Sequence, residues 1–125
     1  MVVDEKLELQ EKLRRLTIGI IKHYRGKGPE YVKVKIQDDL ITINIKGILS
    51  NLSEILVGEG ADDIVKDYWK ILKPHLEKQF IGEFYEIIGR KFEYTWRIDD
   101  FESSDRTIVV LIKLINDGLI KKKDI

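Results

Sequence analysis

Between Gly26 and Gly47 the chain alternates apolar and polar residues in a way that predicts a β-hairpin of defined register. A two-residue turn at Asp38-Asp39 places the apolar residues of both strands opposite one another on one face. The predicted pairs are Ile36 with Ile41, Val34 with Ile43, and Val32 with Ile45. Because side chains alternate with a period of two, a slip of one residue would turn lysines into the core.

Two longer segments repeat apolar residues at helical spacing and predict the main helices. The first runs from Asp4 to about Arg25, and the second from Ala61 to Ile88. The stripe of the second helix consists of Ile64, Tyr68, Leu72, Leu76, Phe80, Phe84 and either Ile87 or Ile88. Between the hairpin and this helix, Ser50 is placed to cap a short helix that carries Leu52, Ile55 and Leu56.

The last third of the chain predicts two more strands. Phe92 to Ile98 alternates, and we expect its aromatic residues Phe92, Tyr94 and Trp96 to face the helices. A polar loop is expected at Asp100 to Arg106. Thr107 to Leu114 is apolar on both faces, which predicts a strand that lies inside the sheet or against another surface. The fold class expected is α+β, a two-layer domain in the order α-β-β-α-β-β, with a four-stranded antiparallel sheet and two main helices on one face.

The whole chain, residues 1–125, is expected to form a single domain. Residues 4–48 and 61–115 follow the same order of helix, strand and strand. An internal duplication would explain this likeness. Amphipathic hairpins also resemble one another for purely physical reasons, so both explanations stay open.

Composition narrows the classes of function. The chain has no cysteine, which excludes thiol catalysis, cysteine metal sites and disulfides. Its formal net charge is zero, so no basic surface for nucleic acid is expected. Uncharged runs are far shorter than the roughly 20 residues of a membrane helix, so we expect no direct membrane insertion. The start lacks a signal-peptide pattern, which predicts a cytoplasmic protein. The many charged residues are typical of thermophiles.

The residues that could act in catalysis or bind a metal have ordinary structural explanations. His23 and His75 lack partners at metal-ligand spacing, and the pairs Asp38-Asp39 and Asp99-Asp100 suit turns at strand ends. We therefore expect no catalytic residues, no metal and no cofactor. One alternative is a small-molecule or nucleotide-sensing domain that binds its ligand at the turn after the first helix. Its ligand-binding residues would be Lys27, Gly28, Tyr31 and Lys33.

Three stretches together resemble the MpsC family, a family of small domains. They are GKGP after the first helix, the hairpin IQDDLITINIKGIL, and IIGRKFEYTWRIDD, within a likeness from about Ile18 to Lys113. Ser53 stands where the family commonly has the glutamate of a capping box. The resemblance implies a non-enzymatic accessory protein. Such a protein would work beside membrane subunits that translocate sodium and generate a membrane potential, or that support inorganic-carbon transport, and would be peripheral to the membrane through this partner.

The last strand also predicts self-association. If Ile108, Val110 and Ile112 face the helices, Val109 and Leu111 emerge on the open face of the sheet. Together with Leu119-Ile120 they would form an apolar patch that a second copy covers. We therefore expect a homodimer that uses the open sheet face or the edge of the last strand.

Overall fold

The computed structural model describes residues 2–98 and 106–115. The helices are α1 (Val3–Arg25), α2 (Asn51–Gly58) and α3 (Asp62–Ile88). The strands are β1 (Tyr31–Gln37), β2 (Leu40–Lys46), β3 (Phe92–Ile98) and β4 (Thr107–Leu114). The predictions for Asp99-Asp100, for most of the polar loop and for Leu119-Ile120 lie outside the described residues.

The four strands form one antiparallel sheet in the order β1-β2-β4-β3. The α+β class and the four-stranded antiparallel sheet are therefore confirmed. The predicted order of elements was wrong by one helix, since α2 lies between β2 and α3. Ser50 starts this helix as its N-cap, and its hydroxyl accepts a hydrogen bond from the Ser53 amide at 3.2 Å. The short helix expected there exists and belongs in the order α-β-β-α-α-β-β.

The first hairpin has the predicted register from Gln37 opposite Leu40 to Tyr31 opposite Lys46. Asp38 takes a left-handed backbone conformation with φ of 53°. Aspartate tolerates this conformation better than most side chains, which explains how Asp-Asp replaces the commoner Asn-Gly turn.

The two hairpins meet at the centre of the sheet, where β2 pairs with β4. Their facing residues on the helix side all have 0% exposure. These pairs are Ile41 with Ile112, Ile43 with Val110, and Ile45 with Ile108. The interior position of β4 is thus confirmed. Because both edges of β4 are already paired, the prediction that a second copy uses this edge is wrong.

Helix α3 is rotated from its predicted phase in its first turns. Val65 and Trp69 are buried there, whereas Ile64 is 56% exposed. The reason is helical geometry: each step of four residues exceeds one turn of a 3.6-residue helix by about 40°, so a stripe with this spacing drifts off the core face before it reaches Ile64. Helix α2 packs on α3, and the hydroxyls of Ser53 and Tyr68 are hydrogen-bonded. From Leu76 onward the buried stripe follows the prediction, with Phe80 and Phe84 in the core.

The aromatic residues of β3 are only partly in the core. Trp96 is buried, Phe92 is half-buried and Tyr94 is 39% exposed. Core placement was wrong for Tyr94 because β3 is an edge strand, where a side chain on the helix side has sheet on one flank only.

The order of the strands in the sheet can be compared with the predicted internal duplication. The first strand of each predicted repeat lies at an edge, and the second strands pair at the centre. A duplicated unit would give this arrangement, although the duplication itself stays a prediction.

Candidate functional site

The turn after α1 is held by Arg25, a residue that the sequence did not single out. Its guanidinium donates from Nε to the carbonyl oxygen of Leu49 and from Nη1 to that of Gly28, each at 2.5 Å. Gly26 has φ of 88°, which ends the helix and turns the chain. Arg25 therefore ties the end of α1, the turn and the segment before α2 into one unit.

The proposed ligand residues are divided between two surfaces. Lys27 Nζ donates to Asn51 Oδ1 at 2.6 Å, and Gly28 uses its carbonyl oxygen for Arg25. Tyr31 and Lys33 lie on the open face of the sheet, in β1. Lys27 and Gly28 thus have structural roles at the junction of α1 and α2, and ligand binding by the four residues stays a prediction.

A small cavity of about 50 Å³ lies where the three helices meet. Its lining includes Arg25, Ser50, Tyr68 and Trp69. A space of this size holds one or two water molecules and is far too small for a nucleotide.

A larger concave surface runs between α3 and the edge strand β3. It consists of two adjoining open hollows of about 500 and 440 Å³. Ile81, Gly82 and Tyr94 line both of them. The other residues are Lys73, Pro74, Glu77 and Lys78 at one end and Tyr85, Lys91, Phe92 and Ile115 at the other. We call this surface the α3–β3 groove.

Polar contacts fix the rim of the α3–β3 groove. Tyr94 donates its hydroxyl to Glu77 Oε2 at 2.9 Å, and Lys73 Nζ lies 3.2 Å from Glu77 Oε1. Lys73 Nζ also lies 5.5 Å from the centre of the Trp96 ring. The hydrogen bond to Glu77 raises the pKa of Tyr94, helped by desolvation and by the carboxylate charge. Glu77 therefore holds the Tyr94 hydroxyl at the rim of the α3–β3 groove as a hydrogen-bond donor.

A second surface is formed by exposed aliphatic side chains on the helices. Leu52 and Ile55 of α2, and Ile64 and Ile71 of α3, are 56% to 72% exposed. Residues three or seven positions apart share one side of a helix, and α2 contacts α3. We call these residues the helix patch. The sequence analysis placed Ile64 on the apolar stripe of its helix and did not identify Leu52, Ile55 and Ile71 as exposed, so it missed this surface.

The open face of the sheet carries the residues predicted for self-association. Val109 is half-buried and Leu111 is exposed there, while Ile108, Val110 and Ile112 are buried on the other side, as expected. The cross-strand neighbours of Val109 are Asn44 and Arg97, and those of Leu111 are Thr42 and Thr95. A contact between copies at Val109 and Leu111 stays a prediction.

The geometry thus defines a class: a small α+β domain with a four-stranded antiparallel sheet. Within residues 2–98 and 106–115, no group of three metal-ligating side chains occurs. In the same ranges, none of the helices is both long and apolar enough to cross a bilayer.

Comparison with known families identifies the group within that class. Residues 5–113 match the family described as Na⁺-translocating membrane potential-generating system (MpsC). The chain therefore belongs to the MpsC family. No curated protein and no solved structure matched the chain.

We predict that replacing Arg25 destabilises the protein far more than replacing Lys27. Arg25→Ala removes two charge-assisted hydrogen bonds to carbonyl oxygens and should lower the free energy of unfolding by about 1.5–3 kcal/mol. Lys27→Ala removes one exposed contact and should change it by about 0.5 kcal/mol or less. Urea unfolding followed by circular dichroism gives both values. Equal effects of the two substitutions would contradict the structural role of Arg25.

We also predict a late ionisation of Tyr94. Because its pKa is raised in the folded state, the bond to Glu77 stabilises the protein below the ordinary pKa of 10.0 and is lost as the pH rises through the raised value. In a spectrophotometric pH titration, one tyrosine of the unmodified protein should therefore ionise late. This late ionisation should be missing in Tyr94→Phe. Glu77→Gln should shift that ionisation back toward 10.0. If Tyr94→Phe left the late-ionising component of the titration unchanged, the bond to Glu77 would be absent in solution.

Proposed function

We propose that this protein is a non-enzymatic accessory subunit of a Na⁺-translocating, membrane-potential-generating system, located on the cytoplasmic side. The single observation that carries the proposal is the family match over residues 5–113. The related role in inorganic-carbon transport, implied by the resemblance, belongs to the same proposal. In either case the protein acts by binding membrane subunits and works as a homodimer.

The helix patch supports the proposed docking. Single exposed aliphatic residues are ordinary on protein surfaces, but Ile64 and Ile71 are both more than half exposed on one side of α3, and Leu52 and Ile55 on one side of α2, so each pair offers apolar area to a partner. Within this region, the ion pair between Lys70 Nζ and Asp67 Oδ1, at 3.8 Å, lies on the exposed side of α3. An apolar centre with charged residues beside it is typical of protein interfaces. The occupant proposed here is a cytoplasmic segment of a membrane subunit with an apolar face.

The alternative role as a small-molecule or nucleotide sensor has less support. It requires Lys27 and Gly28 to bind a ligand, yet the Lys27 ammonium already contacts Asn51 and the Gly28 carbonyl oxygen already accepts from Arg25. A ligand would have to replace these contacts before it gained any of its own.

The test compares two pairs of substitutions that add the same charge at similarly exposed aliphatic residues. Ile64→Lys with Ile71→Lys alters the helix patch, and Val3→Lys with Leu7→Lys alters the start of α1. We expect the first pair to abolish cross-linking to a membrane-spanning transport subunit, identified by mass spectrometry, because two buried lysines disfavour an apolar contact. The second pair should leave it unchanged.

The same variants are then introduced into a strain that lacks the protein. We expect the unmodified chain and the Val3/Leu7 variant to restore the sodium-dependent membrane potential, and the Ile64/Ile71 variant to fail. A deletion strain with an unchanged membrane potential, together with no cross-linked membrane subunit, would overturn the proposed function.

A further inference from the structure

The two edges of the sheet differ in how they are covered. At β1, the side chain of Gln10 in α1 accepts a hydrogen bond from the Ile36 amide at 3.1 Å, and α1 packs along the strand. Lys33 and Lys35 on β1 add charges that disfavour pairing with another strand. At β3, no described strand pairs with the outer edge, and the open α3–β3 groove lies beside it. Of the two edges, β3 is therefore the one that is better suited to pair with another strand.

The hydrogen bonds of β4 establish which backbone groups of β3 face outward. The Ile115 amide donates to the carbonyl oxygen of Lys91 in the β3 direction, whereas the Leu114 amide donates to Asp39 on the β2 side. Antiparallel pairing alternates bonded and non-bonded positions. Glu93, Thr95 and Arg97 therefore direct their amide and carbonyl groups at β4. Phe92, Tyr94, Trp96 and Ile98 direct theirs outward.

The sequence of β3 is complementary to itself when read antiparallel. If two copies of FEYTWRI meet at Thr95, Glu93 of each lies opposite Arg97 of the other. Tyr94 lies opposite Trp96, and Phe92 opposite Ile98. In this register the outward backbone groups of Tyr94 and Trp96 can bond each other. The Glu93 and Arg97 side chains then fall at non-hydrogen-bonded positions, where cross-strand side chains are closest.

We infer that β3 is a dimerisation edge, at which two copies of this chain pair antiparallel about Thr95 to form one continuous eight-stranded sheet. The inference rests on the homodimer of the proposed function and identifies its surface. A two-fold axis through the Thr95 pair makes the contact self-complementary, as a closed dimer requires. Both α3 helices then lie on the same side of the extended sheet, with their α3–β3 grooves facing each other across the axis.

Charge selects this register over its neighbours. Pairing centred on Glu93 or on Arg97 places like charges opposite each other, which destabilises a sheet. Pairing centred on Tyr94 or on Trp96 separates Glu93 from Arg97. Only the register centred on Thr95 forms both opposite-charge pairs, one on each side of the axis.

The experiment is sedimentation velocity of the purified full chain over a range of concentrations, with no membrane partner present. Arg97→Glu places Glu opposite Glu93 at two symmetric positions and should weaken the dimer roughly ten- to a hundredfold. Glu93→Arg should act in the same direction. The double exchange, Glu93→Arg with Arg97→Glu, restores both opposite-charge pairs and should return the affinity to within about threefold of the unmodified chain.

A matched control tests the open face without adding charge. Val109→Thr with Leu111→Thr removes its two predicted interface residues and should leave the dimer unchanged. Thermal unfolding of every variant establishes that it is folded. The inference is overturned by an unmodified chain that stays monomeric, by single reversals that leave the dimer intact, or by a double exchange as weak as the single ones. Dissociation in the threonine variant alone would place the interface on the open face instead. None of these results depends on capture of a membrane subunit.

Discussion

The pairing of β2 with β4 is the contact on which the rest of the structure depends. It joins two hairpins that are distant in sequence, and all six side chains of its helix-facing rows are fully buried. Helices α1 and α3 cover these rows, so the core exists only when the hairpins meet in this register. A shift of β2 by one residue would replace Ile43 with Asn44 on the helix side, which places an amide in the core. The same pairing makes β1 and β3 the edges of the sheet, and therefore decides which surfaces remain for partners.

Structural features that depend on local interactions were predicted correctly from local sequence patterns. The register of the first hairpin follows from its alternation, and the Ser50 cap follows from its hydroxyl, so both were predicted correctly. The position of Tyr94 was not, because strand order is set by contacts between distant segments and no periodicity within β3 reveals an edge. The predicted phase of α3 failed at Ile64 because apolar residues spaced strictly four apart drift around a helix of 3.6 residues per turn. Lys27 was selected as a glycine-flanked cation, whereas the turn is held by Arg25, whose two carbonyl acceptors only the folded chain brings together.

The surfaces left by this fold are consistent with a protein that works through contacts. The MpsC family match links the chain to a Na⁺-translocating system, the helix patch consists of residues of α2 and α3, and β3 is an edge of the sheet. If dimerisation at β3 and docking at the helix patch occur together, one dimer binds two apolar segments. Linked binding of two segments raises the effective affinity without any new contact. In that arrangement, the weak contact expected of each small patch would be sufficient for stable docking.

Residue-resolved hydrogen exchange of the β3 amides tests the central claim most directly, because neighbouring residues point in opposite directions. The Thr95 and Arg97 amides face β4 and should be protected at every protein concentration. The Tyr94 and Trp96 amides face the outer edge and should become protected only at concentrations where the protein is dimeric. Protection of Tyr94 and Trp96 in the monomer, or rapid exchange of both in the dimer, would contradict the account of β3 as the edge that joins two copies.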